Sequence, residues 1–277
     1  MTASAQAPRY LNPRDVAEAQ RQHAALVQEL GGAETGQRAA YVAAVGRRVS
    51  AASGVANPGQ VLHFTTLNSA VENALSVPGG YVYVTRQLLT IMNNESELAF
   101  ALGHEVGHIA ANHARARQSY AQRQNILGVL GAILGGVFGG TGNVFGQWAA
   151  QRAQLATLSF SRDQEYQADR LATRYLIATG YDPAGGPGIL SALARASALE
   201  ARMQGRTNRQ TPEWASTHPL SENRMQRALA DARATGRLGT GTLNRDQYLA
   251  QIEGMYVDDD PEQGVIDGPY FTHPDLR

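Results

Sequence analysis

At 277 residues the chain is long enough to bury one sizeable core, and 24 Lys+Arg against 24 Asp+Glu leave it with no formal charge. Acids and bases are mixed along most of its length, so no basic stripe marks nucleic acid as a partner. There is no cysteine, which excludes disulfides and thiolate metal ligands and leaves imidazole and carboxylate as the groups able to hold a metal.

The chain opens without the charged and apolar regions of a signal peptide, and ASAQA at 3–7 reads either as the tail of a removed cleavage region or as a natural flexible terminus. Residues 13–30 and 36–54 predict two amphipathic helices, separated and ended by glycine. His23 lies among polar residues and is expected in solvent. Three β-like pieces follow at 61–67, 73–77 and 80–85, the last preceded by the turn Val77-Pro78-Gly79-Gly80. His63 alternates with apolar neighbours and is expected to face solvent or pack on the sheet.

Residues 95–113 read as one helix with acidic residues in its first turn and no proline. Leu98, Leu102, Val106 and Ile109 form one stripe at helical spacing, and His104 and His108 fall together on roughly the opposite side. The run 126–139, Gly-rich to 146, is the most apolar stretch. Its fourteen residues would span roughly 21 Å as helix, short of a hydrocarbon core of ~30 Å, so no transmembrane segment is expected. Three readings of 126–146 stand: a buried helical hairpin, a lid, or a patch for peripheral membrane contact or self-association.

Residues 159–179 predict a second long helix ending at Gly180, with Glu165, Asp169, Ala172 and Leu176 on one face. A helix over 183–203, a polar loop over 204–216 and a helix from near Pro219 to about Ala234 come next. Beyond it, 243–253 reads as helical and 257–277 as irregular, and both are expected to be peripheral. The expected organisation is one domain over 1–235, with the helices of 13–54 packed on it, and a C-terminal helix and tail over 236–277.

His104-Glu105-Val106-Gly107-His108 is an HExxH sequence on a helix, where two imidazoles four residues apart can share one ion. Ala101, Gly107 and Ala111 flank the histidines on the helical wheel and leave space for an ion and a substrate. Coincidental histidines on a core or surface helix are the alternative. A peptidase site needs a third protein ligand and an open position, and His113, Glu165, Asp169 and His218 are the candidates. The spacing HExxHxxGxxH fails, since Ala111 and Ala114 stand where it needs glycine and histidine. His113 is expected on the aliphatic side of the helix, away from both ligands. Glu165, on a helix able to pack antiparallel to the first, completes a His₂Glu set, and Asp169 one turn on is placed to accept a hydrogen bond from a ligand imidazole. The small sheet ahead of the HExxH helix offers an edge at Asn73-Ala74-Leu75, where an extended substrate adds as a further strand; an ordinary hairpin is the other reading.

HEVGHIAANH, then SRDQEYQAD, preceded by ENALSVPGGYVYV and followed by STHPLSENRM, resembles the M48 family of zinc metallopeptidases over roughly residues 10 to 235. The resemblance implies an α+β, predominantly helical, zincin-like metalloprotease with a small β-sheet preceding the HExxH helix. It implies one zinc bound by His104, His108 and Glu165, a catalytic Glu105, Asp169 behind the ligands and His218 near the metal. Relatives often carry phenylalanine where Leu75 stands, a departure bearing on substrate fit. Integral-membrane relatives have spanning helices, whereas this chain is similar to the soluble bacterial envelope quality-control type, which implies a periplasmic location with a removed signal peptide; the cytoplasm is the alternative. Longer relatives continue past a tail similar to 257–277, so the chain reads as a fragment or a short form.

The expected reaction is gluzincin-type endopeptidase cleavage of unfolded or misassembled polypeptides, with Glu105 activating a zinc-bound water. His218 is expected to stabilise the oxyanion, to occupy the fourth zinc position as a gate, or simply to cap the helix at Pro219. Arg224 is expected to pair with Asp169 or a neighbouring acid. The alternative function is a zinc-containing chaperone or assembly factor with a gated, low-activity site.

Overall fold

A computed structural model of the chain describes residues 8–114, 160–203, 218, 222–258, 265–267 and 270–272. Asn12 opens α1 (Pro13–Glu29): its side chain accepts from the Arg14 N–H, and Pro13 takes a first-turn position that needs no donor. α2 (Gly36–Ser50) carries Arg47 and Arg48 in its last turn, where cations complement the helix dipole. A single turn, α3 (Pro58–Val61), leads into β1 (His63–Leu67), β2 (Ala74–Val77) and β3 (Tyr81–Thr85), close to the three predicted pieces.

β3 is the central strand, with β1 parallel on one side and β2 antiparallel on the other. The return from β2 to β3 passes through Gly79 and Gly80 at φ 102 and 98. A Cβ on Gly80 would lie 2.0 Å from the Val61 carbonyl oxygen, so no larger residue fits. Side chains alternate across the sheet: Ala74, Val82 and Val84 face the main core, while Leu75, Tyr81 and Tyr83 face a smaller cluster under α1 with Leu26 and Leu30. His23 on α1 departs from expectation. It is half-buried, with Nδ1 2.9 Å from the Tyr83 hydroxyl and its ring 4.8 Å from that of Tyr81. A polar sequence context does not report the two tyrosines that the sheet brings up beneath it. His63 is exposed and lies against Tyr81, as expected.

After α4 (Arg86–Ile91) comes α5 (Glu95–Ala110), capped by Asn94 and carrying Glu95 and Glu97 in its first turn. Every residue of α5 is buried, not only the apolar stripe, because a second helix covers the histidine side. That helix, α6 (Arg162–Ala178), starts with a reciprocal Ser161–Gln164 capping box and stops before Gly180 at φ 83. The two lie unusually close. A Cβ on Gly107 would stand 3.3 Å from the Cα and carbonyl oxygen of Ala168, and one on Gly103 3.5 Å from Cα of Ala172. Gly107 therefore serves the approach of the helices, which corrects the expectation that it leaves room for ion and substrate.

α7 (Gly185–Met203), α8 (Glu222–Ala234) and α9 (Arg245–Ile252) complete the helical part, near their predicted positions. Two expectations for the C-terminal region are corrected. Tyr248 of α9 is fully buried in the main core and donates to the Leu89 carbonyl at 2.6 Å, while Arg86 donates to the carbonyls of Tyr256 and Asp258. Within 257–277, β4 (Val265–Asp267) and β5 (Tyr270–Thr272) pair antiparallel. The signal for them is a short β-branched and aromatic run on either side of Gly268-Pro269. Among the described residues no helix is long and apolar enough to cross a membrane. The stretch 126–146, the loop 204–216 and the segment 3–7 lie outside the described residues.

Candidate metal centre

The close contact of α5 and α6 puts Glu165 beside the two histidines of the HExxH sequence. His104 Nε2 and His108 Nε2 are 2.9 Å apart, and each lies 3.5 Å from a Glu165 carboxylate oxygen. Two donors each bound at about 2.1 Å to one tetrahedral ion stand roughly 3.4 Å apart, so this triangle has the size that a single cation requires. His218 Nδ1 adds a fourth corner, 3.2 Å from His104 Nε2 and 3.1 Å from Glu165 Oε1. The four ligand atoms lie within 4.8 Å of one another, all are buried, and among the described residues they form the cluster suited to a metal ion. Imidazole nitrogen with carboxylate oxygen suits a borderline divalent cation, so the residues fit such an ion.

Two buried carboxylates need compensating charge, and Arg224 supplies it. Its Nε and Nη2 each lie 2.8 Å from an Asp169 oxygen, and its Nη1 lies 2.8 Å from Glu165 Oε2. Burial alone would raise both carboxyl groups. His218 and Arg224 nevertheless hold Glu165 well below the usual carboxylate range, and Arg224 with His104 lowers Asp169. Asp169 Oδ1 is 2.9 Å from His104 Nδ1, the far nitrogen of that ligand ring. Burial would lower His104, but the hydrogen bonds its ring donates to Asp169 and Glu165 outweigh it and push it up to about 9. His108 is driven the other way, well below its ordinary value, by burial and by the charges of His104 and His218. A neutral imidazole is the form that binds a metal.

Glu105, next in sequence to a ligand, points aside from the triangle. Ser76 Oγ donates to its Oε2 at 2.8 Å, and its Oε1 is 3.4 Å from His218 Nε2. β2 forms one edge of the sheet, with Asn73 and Ala74 buried and Leu75 turned to the α1 side. Ser76 is the side chain of this strand that reaches Glu105. Sequence reading did not single it out, although it lies two residues from Ala74 and so on the same face. A cleft beside His108, lined by Leu11, Asn12, Val77, Ile109 and Phe160 among others, opens next to this edge.

His113 is not where the sequence reading put it. It is buried, with Nδ1 3.0 Å from His108 Nδ1 and Nε2 3.1 Å from the Gln167 side-chain oxygen of α6. α5 ends at Ala110 and Asn112 is left-handed at φ 55, so a helical wheel extended past that point misplaces the residue. Asparagine in the last turn was the available signal. Phe160 stacks on His108 with centroids 3.8 Å apart.

Comparison with known proteins agrees with the ordered motifs. The profile of peptidase family M48 matches residues 36–232. A beta-barrel assembly-enhancing protease of Yersinia pestis is 33% identical over 236 residues, which is 79% of this chain and 44% of that protein. Metalloendopeptidase OMA1, mitochondrial, of Bos taurus is 27% identical over 177 residues, 62% of this chain and 32% of its own. Metalloprotease LoiP of Escherichia coli (strain K12) is 27% identical over 168 residues, covering 61% and 62%. The chain spans less than half the length of the beta-barrel assembly-enhancing proteases it matches.

Proposed function

Because the chain belongs to peptidase family M48, we propose that it is a zinc metalloendopeptidase that hydrolyses peptide bonds in unfolded or misassembled proteins. The observation that carries this reading is the buried triangle of His104, His108 and Glu165 with the Glu105 carboxylate, held by Ser76, beside it. Zinc held there would lower the pKa of its water towards about 7 and polarise the scissile carbonyl. Glu105 accepts a proton from the attacking water as the new C–O bond forms, then delivers it to the amine as the C–N bond breaks. Ser76 keeps one oxygen of Glu105 engaged and so fixes the direction of the other. His218 Nε2, on the Glu105 side, is placed to donate to the oxyanion.

Substrate is held as an added strand. Asn73 O accepts from Thr85 N, so residues 73, 75 and 77 turn their backbone groups towards β3 and those of Ala74 and Ser76 point outward. Recognition through backbone groups requires little side-chain selectivity, which suits polypeptides that have lost their fold. The names of the bacterial relatives concern β-barrel assembly, and this supports a periplasmic location.

A second reading has its own support. His218 Nδ1 stands at the fourth corner of the ligand set, 3.2 Å from His104 Nε2, where it would close the site and leave an assembly factor with low activity. Glu105→Gln separates the two. In the endopeptidase, the variant retains one zinc per chain and loses cleavage of unfolded casein. Equal cleavage by wild type and variant rejects the hydrolytic role, and suppression of aggregation by both without cleavage favours the assembly factor.

A further inference from the structure

We propose that His113 is a positioning residue for the metal site, setting the tautomer of His108 and thereby the retention of the ion. The inference rests on the metal-binding reading of His104, His108 and Glu165. His108 turns Nε2 towards His104 and Glu165, at 2.9 and 3.5 Å, so Nε2 is its ligand atom and Nδ1 is the far nitrogen. That Nδ1 lies 3.0 Å from His113 Nδ1, and His113 Nε2 lies 3.1 Å from Gln167 Oε1.

The direction of the hydrogen bonds follows from the end of the relay. An amide oxygen only accepts, so His113 Nε2 carries the hydrogen and donates. His113 Nδ1 is then a lone pair, and His108 Nδ1 must donate to it. His108 Nε2 is left with the lone pair that a cation needs. One contact at the start of α6 thus determines the protonation pattern of a ligand on α5.

The arrangement is held from several sides. Gln164, the capping-box residue of α6, gives its Nε2 to the His113 carbonyl at 3.5 Å, and Asn112 in its left-handed conformation turns the ring back towards the ligand. Phe160 stacks on the His108 ring with planes inclined by 27° and keeps it from rotating out of line. The two ligand histidines therefore have unlike supports: His104 leans on the Asp169 carboxylate, His108 on a neutral imidazole. His113 and Gln167 lie five residues and two residues along the chain from the nearest ligands, and neither belongs to the HExxH sequence.

Zinc affinity of the full chain, measured by competition with a chromogenic chelator after removal and re-addition of the metal, tests this without reference to proteolysis. His113→Ala weakens affinity by roughly ten- to hundredfold. His113→Asn, whose side-chain oxygen can accept the same hydrogen from His108, stays within about threefold of wild type. Gln167→Leu, which frees the tautomer of His113 while leaving its ring in place, falls between the two. Thermal unfolding of the metal-free variants checks that each is folded. If His113→Ala does not fold, Gln167→Leu decides: weaker zinc binding supports the relay, and unchanged binding overturns it. Affinity in His113→Asn as poor as in His113→Ala also overturns it. A wild-type chain that takes up no zinc overturns the metal-centre reading itself, whereas wild-type binding matched by every variant overturns only the relay.

Discussion

Arg224 and Asp169 meet fork to fork, each at 2.8 Å through two separate atom pairs, with both side chains almost fully buried. The same guanidinium also reaches Glu165, so one cation on α8 balances two carboxylates on α6. Arg224→Ala leaves both carboxylates buried without it, and the metal-free protein is expected to lose about 3 to 5 kcal/mol of stability. Arg224→Lys keeps the charge but cannot form the fork, and falls between. Urea midpoints of the three metal-free proteins check the order.

His218 distinguishes an open site from a closed one. Its Nδ1 lies 3.1 Å from Glu165 Oε1 in the position of a fourth ligand. If it holds that position in about nine molecules of ten, His218→Ala raises cleavage of unfolded casein about tenfold while zinc content stays the same. A fall in cleavage at unchanged zinc content assigns His218 to the oxyanion instead.

Ser76→Ala removes the hydroxyl that donates to Glu105 Oε2 at 2.8 Å. Hydrogen bonds to charged groups contribute about 1.5 to 3 kcal/mol, and the lower figure corresponds to roughly tenfold in rate. The expected result is a kcat about tenfold lower with KM within about twofold, because the β2 backbone is unaltered. An effect confined to KM would place Ser76 in substrate binding only.

Acid should loosen α1 through His23. Burial, and then the charge of His63, lower its pKa below the ordinary 6.5. The unfolded chain therefore binds more protons there, and this contribution to stability is complete above pH about 6.5 and is lost as pH falls below it. Tyr81, Tyr83 and His63 are the groups that face the ring. His108 and His113 are lowered too and act in the same sense, so the comparison must be with a variant. His23→Gln, which can still bond Tyr83, should lose less stability between pH 8 and pH 5 than wild type in thermal unfolding.

The parts legible in sequence were those with a period or a fixed spacing. HExxH on α5 and Glu165 and Asp169 one turn apart on α6 are local patterns, and a regular helix preserves them in space. What escaped was set by contacts between distant segments or by a break in the regular backbone. His113 was misplaced because the helix ends two residues before Asn112 turns left-handed. The purpose of Gly107 depends on Ala168, which lies sixty-one positions further along and carries no signal of its partner. His23 shows the same limit: its neighbours in sequence are polar, but its neighbours in space are tyrosines.

The tight seating of Gly107 against Ala168 has an implication for the life of the chain. The donors come from positions 104, 108, 165 and 218, and they meet only when two helices have closed to backbone contact and a third segment has arrived. An incomplete or half-collapsed molecule has histidines and acids but no cage for an ion. On the endopeptidase reading, maturation and armament are the same event: a newly made molecule cuts neither its neighbours nor its own copies until its architecture is finished.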